Sequence, residues 1–441
     1  MSTPTKRLIA DYVLCCDDDF TIYAPGAIDI QGSKIAWVGP AGEAPPVAAP
    51  PAAPPQTIKL SGVLMPGLVN THCHTPMTLM RGAGDGLALQ AWLEDVMWPR
   101  EGKMTPEDTR WGMVLGATEM LLAGVTTSCE MYLDEEAVVA GAKQVGSRLV
   151  MTPGIVLELR QYASLSARIA EIADYHKAVH DSEGLVTVGI APHSAYILGV
   201  EGCVEVSQAA QERDMLLHIH IGETSSEAAE LEEKYGTSVV QVLADHGVFE
   251  AQTLSAHSIW LSDQDLDSFA EFNVAVAHCP VSNMKLGSGV ARVLDMLKRG
   301  ITVGLGTDGP GSNNTLDLWE EVKLAPMLAR IATADASSLN SQEVLKMATS
   351  QGAKAVGLNE VGSLEPGNFA DIIHISLDTP SFTPICDTSD LVAHLVWSGG
   401  SRDITDVWVA GERVVRDGQC QTVDLDQARH EVQQRAVRLA S

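Results

Sequence analysis

Eight short apolar runs, most of them separated by amphipathic segments, constrain this chain more than any other feature. They are VLMPGLVNTHCH (63–74), GVTTSCEM (124–131), RLVMTPGIV (148–156), LVTVGIAPH (185–193), MLLHIHIGE (215–223), TLSAHSIWL (253–261), NVAVAHCPVSN (273–283) and ITVGLGTDG (301–309). Short runs buried on both faces read as parallel strands. Segments such as CVEVSQAAQERD and QDLDSFAEF carry the helical period between them. Eight β/α units predict an α/β fold, a (β/α)8 TIM-type barrel, over residues 62–364.

The chain ends are patterned differently. RLIADYVLCC, AIDIQG and KIAWVG at the start, and DIIHISL, HLVWSGG and DVWVAGERVVRDG near the end, read as strands broken by turns. They predict a small β-sandwich domain assembled from residues 1–61 and 365–441. The proline-rich PPVAAPPAAPP (45–55) reads as a surface loop or linker, SQEVLKMATSQGAKAVGL (341–358) as helical, and DLDQARHEVQQRAVRLA as a terminal helix.

A parallel barrel presents its chemistry at the C-terminal ends of its strands, and there this chain places histidines and acids. His72 and His74 end the first run, His220 lies near the end of the fifth, His257 ends the sixth, His278 the seventh and Asp308 the eighth. Side chains two apart on a strand share a face, so His72 and His74 reach one ion together. One H-x-H is a weak signal among 13 histidines; convergence of several strand ends on ligand types is a strong one. Three histidines and a carboxylate suit zinc or another borderline divalent metal, with a position left for water. His218 lies deeper in its strand and reads as a barrel-interior histidine. Glu223, three residues past His220, stands where a proton shuttle is needed. HKAVH (176–180) lacks the glutamate of a zinc helix and is rejected as a metal site. Trp92 and Trp98 are available for stacking on a ring or for packing, and Asn313 and Asn314 read as caps of the following helix.

Composition excludes several classes. Asp and Glu number 57 against 29 Lys and Arg, a formal charge of −28; this field opposes nucleic acids and anionic membranes. No apolar run approaches the ~18 residues of a membrane span. Eight scattered cysteines without a C-x-x-C pair read as a reduced set, and a cytoplasmic protein is expected.

PGLVNTHCH, LHIHIGET, AHCPVSNMKLGSG, VGLGTDGPGSNN and GSLEPGNFADII resemble the amidohydrolase superfamily over nearly the whole chain. Within it the resemblance is to the 5-methylthioadenosine/S-adenosylhomocysteine deaminases, with chlorotriazine hydrolases as relatives. The resemblance implies one divalent metal, zinc or sometimes iron (Zn2+ or Fe2+), on His72, His74, His220 and Asp308. VGIAPHSAY offers His193 and no bridging lysine, so a mononuclear site is implied. His193 resembles a substrate-binding histidine, and Glu101 in WPRE a glutamate that grips ribose hydroxyls. Arg148 and Arg160 are matched to two arginines contacting the nucleoside's substituent, although SRLVMTPGIVLELR departs from the pattern. The expected activity is hydrolytic deamination of an adenine nucleoside: 5-methylthioadenosine, S-adenosylhomocysteine or adenosine. Asp308 would take a proton from water, His257 would aim the water, and Glu223 would protonate the ring nitrogen beside the attacked carbon. Such enzymes are often homo-oligomers. Two alternatives remain: hydrolysis of another aminated or chlorinated N-heterocycle (a triazine, pyrimidine or guanine-like ring), and a non-catalytic barrel subunit.

Overall fold

The computed structural model describes residues 6–46, 56–156, 159, 162–181 and 184–441. The predicted runs appear as parallel strands, labelled here β1 (Leu68–Cys73), β2 (Val125–Tyr132), β3 (Arg148–Ile155), β4 (Val186–Val188), β5 (Leu217–Ile221), β6 (Thr253–His257), β7 (Ala275–His278) and β8 (Val303–Leu305). β1 to β4 form one sheet in sequential order and β5 to β8 another. The sheets are bridged on both sides. Ile190 N donates to Leu216 O (2.9 Å), and His220 N to the His193 carbonyl (3.0 Å). At the other join Asp308 N donates to His72 O (3.0 Å) and Thr71 Oγ1 to Leu305 O (2.9 Å).

Helices connect successive strands, among them Pro106–Leu122, Glu135–Val145, Leu165–Val179, Ala195–Gln211 and Asp263–Glu271. Their starts are written locally. Thr105 and Asp108 make a reciprocal capping box, as do Ser262 and Asp265. Among the strands, Val69, Cys129, Val150, Leu254 and Ala277 form a buried cluster closed by Ala353, Val356 and Phe369. The space between these strands is filled by packed side chains.

The first predicted run is two strands. Val63–Pro66 pairs antiparallel with Ile372–Ile375 near the C-terminus, and only Leu68–Cys73 joins β2. The chain changes sheets at Gly67, where a Cβ would meet Thr126 Oγ1 at 2.1 Å; glycine is required by close packing. The terminal segments build a four-stranded sheet, Lys34–Pro40, Gly26–Gln31, Lys6–Ala10 and Gln56–Lys59 in order, and a seven-stranded sheet that includes Tyr12–Leu14, Val63–Pro66, Ile372–Ile375 and Ile404–Val409. Leu8, Ile28 and Ile35 from the first sheet and Val13, Leu64, Ile372 and Trp408 from the second share one buried cluster.

Two expectations near the C-terminus need correction. HLVWSGG is not a strand; helix Thr388–Trp397 runs into it. Asp387 accepts from Asp390 N (2.9 Å) as its cap, and Leu391, Val392, Leu395 and Val396 form its buried stripe. The stretch 341–358 is two helices, Ser341–Met347 and Ser350–Ala355, separated at Thr349. The terminal helix, Leu425–Ala440, packs on Pro106–Leu122, with Arg438 reaching Asp108 at 2.5 Å. The proline-rich stretch from 47 to 55 lies outside the described residues. Among the described residues no helix is long and apolar enough to cross a membrane.

Candidate active site

At the C-terminal ends of the strands four imidazoles turn the same edge inward. His74 Nδ1 donates to Met131 O (2.5 Å), His220 Nδ1 to His193 O (2.8 Å) and His257 Nδ1 to Asn283 Oδ1 (2.9 Å). A carbonyl oxygen only accepts, so each of these rings carries its proton on Nδ1. His72 Nδ1 lies 2.9 Å from His218 Nε2. The opposite nitrogens converge. Ligand atoms of His72, His220 and His257, and of His72, His74 and Asp308, lie within 4.8 Å of one another in each set. Asp308 Oδ1 is 3.4 Å from His72 Nε2 and 3.3 Å from His74 Nε2. Its other oxygen accepts from Ser282 Oγ (2.6 Å) and Ser312 Oγ (2.7 Å).

Two of these residues have left-handed backbone, His257 at φ 67° and Asp308 at φ 60°. Non-glycine residues are held there only by surrounding structure, and such strain gathers at functional sites. β8 itself ends at Leu305, so Asp308 reaches the cluster from the following loop.

Burial sets the protonation. It lowers the pKa of His72 to about 3, with the neighbouring His74 and His257 charges adding to it and Asp308 opposing. It carries His220 and His218 well below the ordinary histidine value, aided by adjacent imidazoles. These rings are therefore neutral at pH 7, the form that ligates metals. Asp308 is pushed up by burial, but the adjacent His72 ring and the charges of His74 and His257 outweigh this and hold it well below the carboxylate range. His72 Nε2 is wholly buried and has no hydrogen-bond partner among the described residues. An orphaned buried nitrogen is costly unless something binds it. Imidazole nitrogens and a carboxylate oxygen gathered around such an atom fit a borderline divalent cation.

The cluster forms the floor of a cleft of about 710 Å³, its open mouth included. Its walls are largely apolar, with Trp92, Leu93, Trp98, Leu133 and Val156 among them. Three expected polar residues face it: Glu101, His193 and Glu223. Glu223 Oε1 is 3.8 Å from His257 Nε2. Desolvation raises the Glu223 pKa, opposed by His257. Burial lowers His257, but the carboxylates of Glu223 and Asp308 and the Asn283 bond outweigh it, leaving the pKa raised. Glu101 is buried and accepts the Tyr132 hydroxyl at 2.9 Å. The His193 ring, lowered to about 3 by burial and then by neighbouring histidines, lies beside the cluster, while its carbonyl orients His220.

The structure does not bring Arg148 to the cleft. It is the first residue of β3, at the end of the strand opposite the site. There its guanidinium bonds Asp371 (2.7 Å) and the Gly184 carbonyl (2.6 Å) and lies over the Phe369 ring. Arg160 lies outside the described residues. Asn313 and Asn314 do not cap the next helix. Asp317 does, accepting from Trp319 N, while Asn313 bridges Thr307 O and Glu321. His278 lines a separate cavity with Ala291, Val293 and Ala329. Asn283, Ser282 and Ser312, which hold His257 and Asp308, were not singled out from sequence. Asn283 and Ser282 sit inside AHCPVSNMKLGSG and Ser312 inside VGLGTDGPGSNN, so the signal was the motifs themselves.

A family model described as "Amidohydrolase family" matches residues 63–414, and the chain belongs to that family; it is a hydrolase acting on C–N bonds. It is 36% identical over 431 residues to a protein of Pelotomaculum thermopropionicum named 5-methylthioadenosine/S-adenosylhomocysteine deaminase, covering 97% of each chain. A protein of the same name from Desulfitobacterium hafniense is 36% identical over 438 residues, covering 99% of each. Among solved structures, an adenosine deaminase from Xanthomonas campestris with bound zinc superposes with a TM-score of 0.93 at 30% identity, covering 99% of both chains. An atrazine chlorohydrolase from Arthrobacter aurescens complexed with zinc shares the fold, with a TM-score of 0.87 at 24% identity over 98% of this chain and 100% of that one.

Proposed function

We propose that this protein is a hydrolytic deaminase of adenine nucleosides, acting with one divalent ion, zinc in the first instance, held by His72, His74, His220 and Asp308. The observation that carries the reading is the orphaned His72 Nε2 ringed by imidazole nitrogens and Asp308 at the floor of an apolar-walled cleft. The likeness to deaminases over nearly the whole chain supports the substrate class. In this reading β1 to β8 form one closed (β/α)8 barrel. The terminal sheets form a β-sandwich from about residues 1–61 and 365–441, to which Val63–Pro66 adds a strand. All eight cysteines are free, in keeping with the cytoplasm.

When bound, the ion acidifies a water toward a pKa of about 7 and polarises it for attack. The residues do the rest. The nucleoside enters with its purine against the apolar wall of Trp92, Trp98 and Val156. Glu101 accepts from the ribose diol, and His193 bonds the base. His257, its Nδ1 fixed by Asn283, aims the attacking water from Nε2. Asp308 accepts a proton from that water as its oxygen adds to C6. Glu223, kept protonated more readily by burial, donates to the neighbouring ring nitrogen and makes C6 electrophilic. The proton on Asp308 passes to the amine and ammonia leaves, while the proton of the new C6 hydroxyl returns to Glu223, so that C6=O forms and the inosine analogue remains.

Ammonia release from adenosine, 5-methylthioadenosine and S-adenosylhomocysteine, measured beside chloride release from a chlorinated triazine, tests the reading. Turnover of the nucleosides is expected. Turnover of the triazine alone would replace this reading with heterocycle hydrolysis, and no turnover of any would favour a non-catalytic barrel.

A further inference from the structure

His218 is the one buried histidine of the cluster that neither the cleft nor the ligand set uses. It is fully buried beneath His72. Three short contacts run through it: His72 Nδ1 to His218 Nε2 at 2.9 Å, His218 Nδ1 to Thr152 Oγ1 at 2.9 Å, and Thr152 Oγ1 to the Glu130 carbonyl at 2.8 Å. The protons in this chain can be assigned by elimination. A carbonyl oxygen has none to give, so the hydrogen in the last contact belongs to Thr152. That hydroxyl is then spent, and it meets His218 Nδ1 with a lone pair. The hydrogen there belongs to His218 Nδ1. A neutral imidazole carries one N–H, so His218 Nε2 is bare and accepts from His72 Nδ1. His72 Nε2 is therefore bare as well. The longer contact of Cys129 Sγ to His218 Nδ1, 3.6 Å, involves a weak donor and does not reverse the order.

The other three imidazoles need no such chain, because carbonyl oxygens fix their tautomers directly. His72 alone faces a second histidine, which without Thr152 is equally able to donate or accept. From this we infer that His218, Thr152 and the Glu130 carbonyl form a one-way hydrogen-bond relay that locks His72 in its ligating tautomer. They are positioning residues, acting through His72. The inference rests on the metal-site part of the proposed function and not on the substrate.

The test is zinc affinity of the metal-free protein, by competition with a chelator of known affinity, together with the absorption spectrum of the cobalt(II) form. Outer partners of metal-bound histidines typically change metal affinity by 10–100-fold. Thr152→Val keeps the volume and removes the hydroxyl; about tenfold weaker zinc binding and an altered cobalt spectrum are expected. Thr152→Ser restores the relay and should bind zinc like the parent. His218→Leu should lose about 100-fold. If it does not fold, the Thr152 pair decides. Parental affinity in Thr152→Val would overturn the relay, as would an equal loss in Thr152→Ser, which would assign the effect to packing. The predicted affinity series in a protein that deaminates no nucleoside would leave the relay standing and remove only the substrate assignment.

Discussion

Replacing Glu223 by glutamine isolates the proton from everything else the residue does. The side chain is buried in the cleft, 5% exposed, and glutamine has its size. The loop that carries it is held independently, because Glu227 accepts from the backbone N–H groups of Gly222 (3.3 Å) and Glu223 (2.9 Å). Position and packing should survive, and only the ability to donate a carboxylic proton is lost. General acid catalysis contributes about 10²–10⁴-fold, or about 3–5 kcal/mol of barrier at about 1.4 kcal/mol per tenfold. Stability should not fall. The folded-state pKa of Glu223 is raised, so in the metal-free protein its ionised form opposes folding above the unfolded pKa, and glutamine removes that cost. The assay pairs single-turnover deamination with metal content and thermal unfolding. The expected result is one ion per chain, a Tm no lower than the parent's at pH 7.5, and kcat down by at least 10²-fold. A variant with full metal and a loss under tenfold would refute Glu223 as the proton donor.

Other perturbations separate binding from structure. Glu101→Gln should raise KM for ribonucleosides by roughly 10–100-fold, from the ~1.5–3 kcal/mol of a hydrogen bond to a charged group, and the penalty should vanish with a 2′,3′-dideoxynucleoside; an equal penalty there would remove the diol contact. Arg148→Met breaks the buried pair with Asp371 and should cost about 3–5 kcal/mol of stability in chemical denaturation while kcat/KM of the folded enzyme stays the same. A selective rise in KM for a charged substituent would return Arg148 to the cleft. Glu227, raised by burial and then by Glu223 from 4.5 to about 7, holds in the fold a proton that the unfolded chain has released. It therefore favours folding below about pH 4.5 and progressively opposes it as pH rises to about 7, by about 3 kcal/mol. Glu227→Gln should flatten the pH dependence of Tm in the metal-free protein between pH 5 and 8, and an unchanged slope would contradict the burial argument.

The reach of sequence reasoning followed the range of the interactions involved. Strand runs and the two-residue spacing of His72 and His74 are local periodicities, and they appear in the structure as expected except that the first run divides into two strands of different sheets. His220 was separated from His218 by depth along one strand, and the two rings indeed meet different partners, the His193 carbonyl and the His72 ring. The same depth argument, applied to Arg148, would have placed it at the wrong end of its strand for chemistry; the family resemblance pulled it toward the site instead. What stayed hidden is non-local. The sheet change at Gly67 depends on Thr126 and on a strand some 300 residues away. HLVWSGG alternates well enough for a strand, but its cap at Asp387 and its buried stripe begin upstream of that segment. Thr152 sits in an apolar run with nothing to mark it, and its role exists only because His218 and Glu130 come from two other strands.

The central claim is that one ion, held by His72, His74, His220 and Asp308, serves nucleoside deamination in the cleft above. Its most direct test adds zinc stepwise to metal-free protein and follows ammonia release from 5-methylthioadenosine. No activity is expected without metal, then a linear rise and a plateau at one zinc per chain, with His72→Ala inert throughout. Turnover in the metal-free protein, or a plateau only at two ions, would contradict it.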